Sequence, residues 1–179
     1  MKKEIRISGF GGQGVILAGV IVGKAASVFS DLEAVQSQSY GPEARGGAAR
    51  SEVIISDEKI GYPRPTSTDL FAAMAQEAFN AYRVDIREDT VIIVDPDLVP
   101  HHDIGRPIYK IRVQKIAEEL GNKIVTNIAM VGAMTGIYDM LEPEAVRKAV
   151  ADSVPARFTR LNINAFEKGL EAGKNARAN

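Results

Sequence analysis

The sequence predicts an α/β fold: a single layered domain with a mixed, mostly parallel β-sheet flanked by helices and a Rossmann-like start. Three observations predict it. Short apolar runs that end in glycine or Asp-Pro alternate with longer runs of Ala, Val, Ile and Leu at helical spacing. The first such pair is joined by "GFGGQG", in which Gly9, Gly11 and Gly14 spell G-x-G-x-x-G between a strand and a helix. The segment between the second and third strands, "YGPEARGGA", has no helical pattern, so that pair lacks the crossover a parallel neighbour needs and the sheet is mixed. With 179 residues, no internal repeat and no long linker, residues 1–179 are expected to form one domain.

The elements follow in chain order. Residues 4–8, "EIRIS", alternate around Ile5 and Ile7 and stop at Gly9, as a first strand entering a turn would. Val15 to Phe29 reads as a buried helix in which Gly19 and Gly23 allow close packing. "LEAVQSQS" (32–39) and "ARSEVIIS" (49–56) read as strands two and three. A loop broken at Pro63 and Pro65 leads to Thr66, Ser67, Thr68 and Asp69, N-cap candidates for a helix over 70–83. "TVIIVD" (90–95), a continuous apolar run closed by Asp95-Pro96, predicts a central strand, and "RPIYKI" (106–111) another. "VQKIAEELGN" predicts a helix ended by Gly121. Helices over 127–140, 143–153 and 158–174 complete the chain, with Pro143 in a first turn, Pro155 as a break and a frayed, solvated end through Arg177.

Composition excludes several classes of function. Lys plus Arg number 22 against 23 for Asp plus Glu, a balance with no bulk attraction for nucleic acid or an anionic membrane. The absence of cysteine rules out thiolate-held zinc and iron-sulfur clusters on this chain. No secretory signal is evident, and "NIAMVGAMTGIYDML" is too short and too polar to cross a bilayer core of ~30 Å, so the expected location is cytoplasmic. His101 and His102 read as a solvated loop, and "MVGAMTG" as close-packed core. No metal site and no catalytic residue is expected: Ser39 and Tyr40 have no base partner with which to build a triad.

Two glycine loops remain. In "GFGGQG", Gly11, Gly12 and Gly14 can let an oxyanion approach the backbone and the helix N-terminus, and Gln13 adds an amide that mere packing would not need. A dinucleotide site would add an acid at the end of the second strand, but Gln36, Ser37, Gln38 and Ser39 occupy that place. In "SYGPEARGGAARSE", Arg45 stands beside Gly46 and Gly47, joining a planar cation to exposed N–H donors. The bland alternatives are glycines that only permit tight packing, a surface pair between Glu43 and Arg45 or Arg50, and Asn127 as a helix N-cap. If strands one and two are neighbours, both loops leave from the sheet edge at which open α/β sheets hold ligands.

Taken together, "GFGGQG" at 9–14, "QSYGPEARGG" at 38–47, "SDEKIGYPRPTSTD" at 56–69, "VDPDLVP" at 94–100 and "LGNKIVTNIAMVGAM" at 120–134 resemble the gamma subunit of 2-oxoacid:ferredoxin oxidoreductases. The resemblance spans nearly the whole chain. It implies a multi-subunit enzyme that decarboxylates a 2-oxoacid on thiamine diphosphate, sends electrons through iron-sulfur clusters to ferredoxin and passes the acyl group to coenzyme A. Thiamine diphosphate, Mg2+ and the clusters would belong to alpha, beta and delta-type ferredoxin-like partners, with ferredoxin as acceptor, because this chain lacks both cysteine and a G-D-G thiamine motif. The isolated chain would then be inactive, and Gly11, Gly12, Gln13, Gly14, Arg45, Gly46, Gly47 and Asn127 would line a coenzyme A or active-centre edge. The "GFGG" version resembles 2-oxoglutarate enzymes more than pyruvate ones, with 2-ketoisovalerate and indolepyruvate enzymes as further relatives. The competing expectations are a stand-alone nucleotide-binding oxidoreductase and a structural assembly subunit without a ligand.

Overall fold

A computed structural model of the chain describes residues 1–41 and 47–178. The strands are β1 (Lys2–Phe10), β2 (Glu33–Tyr40), β3 (Ala48–Ser56), β4 (Leu70–Ala73), β5 (Val91–Val94) and β6 (Tyr109–Lys110). They form one sheet in the order β2-β3-β1-β4-β5-β6. β3 pairs antiparallel with both β1 and β2, while β1, β4, β5 and β6 pair in parallel, so β3 alone runs against the rest. The mixed, mostly parallel sheet is therefore as expected. β1 and β2 are not neighbours, since β3 lies between them, but they run in the same direction and both end at one edge of the sheet.

The helices are α1 (Val15–Phe29), α2 (Gln76–Tyr82), α3 (Val113–Glu119), α4 (Thr126–Ile137), α5 (Pro143–Ser153) and α6 (Thr159–Ala178). On one face of the sheet, Val15, Ala18, Val22 and Ala25 of α1 join buried residues of α3 to α6 and Ile5, Ile7, Val53 and Ile55 of the strands in the main core. These α1 residues recur at helical spacing, which gives the helix its buried stripe. On the other face a smaller cluster of Phe71, Phe79, Ile92, Val94 and Val99 packs under α2.

α4 and α6 approach through glycine. A Cβ on Gly132 or Gly136 would collide with the backbone of Phe166 or Leu170, and one on Gly169 or Gly173 with the backbone of Ala129 or Ala133. The "MVGAMTG" segment is core, as its composition indicates. α6 does not fray: it continues to Ala178, and Arg177 makes a two-pronged pair with Asp139 at 2.7 and 2.8 Å.

Residues 70–83 depart from the sequence reading. The predicted helix is the strand β4, a turn and the short α2. Leu70, Phe71, Ala72 and Ala73 have no exposed surface, because β4 lies between β1 and β5 and is covered on both faces. Full burial on a parallel sheet outweighs the helix preference of the alanines. The supposed capping cluster braces the starts of β1 and β5 instead: the Glu4 N–H donates to Asp69, and the Thr90 hydroxyl, beside β5, donates to the Thr68 carbonyl. "TVIIVD" is interior but separated from the edge only by β6, which keeps two of the six residues expected of it.

Candidate functional site

The strand-to-helix turn stands at the shared C-terminal edge of β1 and β4. Gly12 and Gly14 have φ of 98° and 73°, a left-handed region that favours glycine. α1 starts immediately after Gly14 with no side-chain cap and no acidic residue in its first turn. The N–H groups of Gly12 and Gly14 make no hydrogen bond among the described residues. This is the arrangement of backbone donors and partial positive charge that receives an oxyanion.

Side chains fix the turn from two sides. Gln13 Oε1 accepts from the Phe10 N–H at 2.6 Å, and its Nε2 donates to the Met74 carbonyl at 2.9 Å, so one carboxamide ties the ends of β1 and β4 together. Asn127 is 3% exposed and donates from Nδ2 to the Gly14 carbonyl at 3.0 Å. It lies within the first turn of α4, whose N-cap is Val125, so the capping role does not apply. The second glycine loop meets the first through its last residue, where the Gly11 N–H donates to the Gly47 carbonyl at 3.1 Å. Arg45 and Gly46 lie outside the described residues.

Next to the turn opens a cleft of 420 Å³ between α1, α4 and the start of α6. Gly12, Gly14 and Asn127 form its polar wall, and Leu17, Leu161, Ile124 and Phe158 its apolar one. Ile124 and Phe158 are 75% and 41% exposed, a large apolar surface to leave in water. The sequence reading missed both. An exposed Ile or Phe has no local signature, and only the fold brings them beside the glycines.

A buried polar network on the α2 face reaches the start of β3. Arg6, 4% exposed on the central strand, donates from Nε to Glu52 at 2.8 Å, from Nη1 to the Tyr82 carbonyl at 2.8 Å and from Nη2 to Asp85 at 3.1 Å. The hydrogen bonds from Arg6 hold the Asp85 carboxyl below its ordinary pKa. Tyr82 donates its hydroxyl to the Ala48 carbonyl at 3.1 Å and carries the Arg50 guanidinium 5.0 Å above its ring. α2 is thereby anchored to the first residue of β3, directly after Gly47. Arg50 Nε stands 3.6 Å from Glu52, which accounts for its local pairing.

Asp95, at the end of β5, is fully buried, and that burial raises its pKa. Backbone N–H groups of Gln114 and Asp97 donate to it at 2.9 Å each, so it is a structural anchor for the start of α3. A larger cleft of 780 Å³ lies at the opposite end, lined by Lys3, Asp139, Lys174 and Arg177. It borders the start of β1, away from the strand ends at which open α/β sheets bind ligands. His102 Nδ1 contacts the Val99 carbonyl, and among the described residues no group of three His, Asp or Glu could hold a metal ion.

Three comparisons set this geometry among known proteins. Residues 4–172 match the family model "Pyruvate ferredoxin/flavodoxin oxidoreductase". The chain is 49% identical to 2-oxoglutarate synthase subunit KorC of Methanocaldococcus jannaschii, over 97% of this chain and 95% of that protein. The crystal structure of the keto/oxoacid ferredoxin oxidoreductase gamma subunit from Geobacter sulfurreducens PCA superposes with a TM-score of 0.90 at 44% identity, covering 98% of both chains. The same fold recurs at 24% identity and TM-score 0.84 in 2-oxoglutarate:ferredoxin oxidoreductase from Magnetococcus marinus, a structure with 2-oxoglutarate, coenzyme A and succinyl-CoA bound. There 97% of this chain covers 31% of a much longer one.

Proposed function

Because the chain belongs to the pyruvate ferredoxin/flavodoxin oxidoreductase family and is the gamma subunit of a 2-oxoacid:ferredoxin oxidoreductase, we propose that its glycine-turn cleft is one wall of the coenzyme A site of the assembled complex. The 2-oxoacid is 2-oxoglutarate in this reading, in keeping with the KorC relative. The observation that carries it is the pairing of Gly12 and Gly14 N–H groups that have no partner among the described residues with an apolar cleft beside them. Coenzyme A has both halves of the matching chemistry, phosphates for the donors and a long uncharged arm whose methylene and methyl groups suit the groove. A dinucleotide would want an acid at the end of β2, where Gln38, Ser39 and Tyr40 stand.

In this reading, Gly11 and Gly47 join the two loops, Gly12 and Gly14 face the anion, and Asn127 turns its amide to the cleft while bonding Gly14. Gln13 sets the shape of the turn, and Arg45 with Gly46 supplies the second loop's cation and donors. Coenzyme A when bound supplies the thiol that takes up the acyl group; this chain binds and orients it. Iron-sulfur clusters do not fit the chain, which has no cysteine, and the sequence has no G-D-G start of a motif for thiamine diphosphate with Mg2+. They sit on alpha, beta and delta-type partners, and ferredoxin takes the electrons. We further propose that residues 1–179 form one domain and that the complex is cytoplasmic; no helix among the described residues is long and apolar enough to cross a membrane.

The test is steady-state kinetics of the reconstituted complex carrying Gly12→Ala, Asn127→Asp or Arg45→Ala. Each is expected to raise the KM for coenzyme A at least fivefold, while coenzyme-independent decarboxylation of 2-oxoglutarate stays within twofold. Unchanged coenzyme A dependence in all three removes this cleft from the site. A complex that prefers another 2-oxoacid overturns only the substrate assignment.

A further inference from the structure

The two edges of the sheet are built differently. β6, at one edge, has two residues, includes Lys110 and follows Pro107 closely. Short length, lysine and proline are the devices by which proteins keep an edge from recruiting another strand. β2, at the other edge, has eight residues and none of them is Pro, Lys or Arg. Its register with β3 runs without a bulge from Glu33↔Ser56 to Tyr40↔Ala49. Among the described residues no strand pairs with its outer side. Tyr40 at its end is 59% exposed.

We propose that the outer edge of β2 pairs antiparallel with β2 of a second copy of this chain, so that one sheet runs through both. An exposed row of unpaired backbone N–H and C=O groups is a template on which another extended strand can continue the sheet. The strand's own pattern suits itself as that partner. About a two-fold axis at Ser37, Ser37 meets its copy, Gln36 meets Gln38, Val35 meets Ser39 and Ala34 meets Tyr40, each pair pointing to the same face. Glu33, the one charged residue of the strand, falls opposite Gly41. The two Glu33 carboxylates then stand ~27 Å apart at ~3.4 Å per residue, beyond a Debye length. A parallel pairing would set them face to face. This inference uses only the edge geometry and does not depend on the coenzyme A reading.

Light scattering on the full chain after size exclusion, between roughly 1 and 200 μM, tests it, since a transient interface of this kind falls in that range. Twice the chain mass at the upper end is the expected result, and Ser37→Lys with Gln38→Lys is expected to raise the dissociation constant at least tenfold. In the proposed register the lysines introduced at 37 meet across the axis on one face of the sheet, and those introduced at 38 fall opposite Gln36 on the other face. A monomer at every concentration overturns the proposal, as does a dimer that the lysines leave intact. Amide exchange on the unaltered chain gives a second reading independent of the variant's folding: protection within 33–40 must rise with concentration, and a constant protection pattern also overturns it.

Discussion

At the turn between β1 and α1 glycine supplies a backbone conformation, whereas between α4 and α6 it supplies the absence of a side chain. Gly12 has φ of 98°, and a Cβ there would meet nothing within 4 Å. Gly132 sits in ordinary helix, and a Cβ there would overlap the Phe166 carbonyl oxygen. The first kind leaves space and donors facing outward; the second closes space between two backbones. The same residue type thus marks a candidate site at one place and a seam at the other, and only the neighbours tell them apart.

The seam should be the costlier to disturb. Gly132→Ala forces α4 and α6 apart along backbone that cannot rotate away, and overpacking of this kind costs about 3 kcal/mol. The better helix propensity of alanine returns no more than ~1 kcal/mol of that. Urea unfolding of the purified chain measures it. A loss under ~0.5 kcal/mol, the scatter of neutral surface changes, would mean that the helices are not held at this distance.

Gln13 belongs to the turn but acts through hydrogen bonds. Gln13→Ala leaves the Phe10 N–H and the Met74 carbonyl without their partner and is expected to cost about 2 kcal/mol, near 1 for each bond. In the assembled enzyme it should also raise the KM for coenzyme A, because the glycine donors lose their fixed aim. Stability loss with an unaltered KM would assign Gln13 to the fold alone.

How much of this was legible in the sequence depends on how local each cause is. β1, α1, β2, β3 and α5 came from periodicity and from glycine or proline at their ends, all within a few residues. The strand β4 did not, because Leu70 to Ala73 read as helix until they are placed between β1 and β5. That miss carried a second: Gln13 could not be matched with Met74 while 70–83 was one helix. The glycines of the candidate site were visible, and so was Asn127, but its bond to Gly14 spans 113 residues and belongs to the fold. Ile124 and Phe158 left no trace in the pattern, since nothing local distinguishes a cleft wall from a stray apolar residue.

Gly12→Ala probes the conformational use by itself. The side chain has room, so the cost is that of a left-handed backbone for an L-residue, ~1–2 kcal/mol. Thermal unfolding should register it as a small shift, smaller than that of Gly132→Ala. If the two variants lose the same stability, the distinction between a turn that needs a backbone angle and a seam that needs space does not hold.

Gly23→Ala is the control in which neither need is present. Gly23 is helical within α1, has no positive φ, and a Cβ would lie 4.0 Å from Val53, ordinary van der Waals contact. Nothing then opposes the gain in helix propensity, and stability should rise by ~0.5–1 kcal/mol. Gly19, one turn earlier, would instead drive a Cβ into the Ser51 hydroxyl. Two glycines four apart on one helix are thus expected to respond to the same substitution with opposite signs, which equilibrium unfolding of the two single variants measures directly. A loss at Gly23 would show that α1 packs on β3 more tightly along its whole length than the room at Val53 allows.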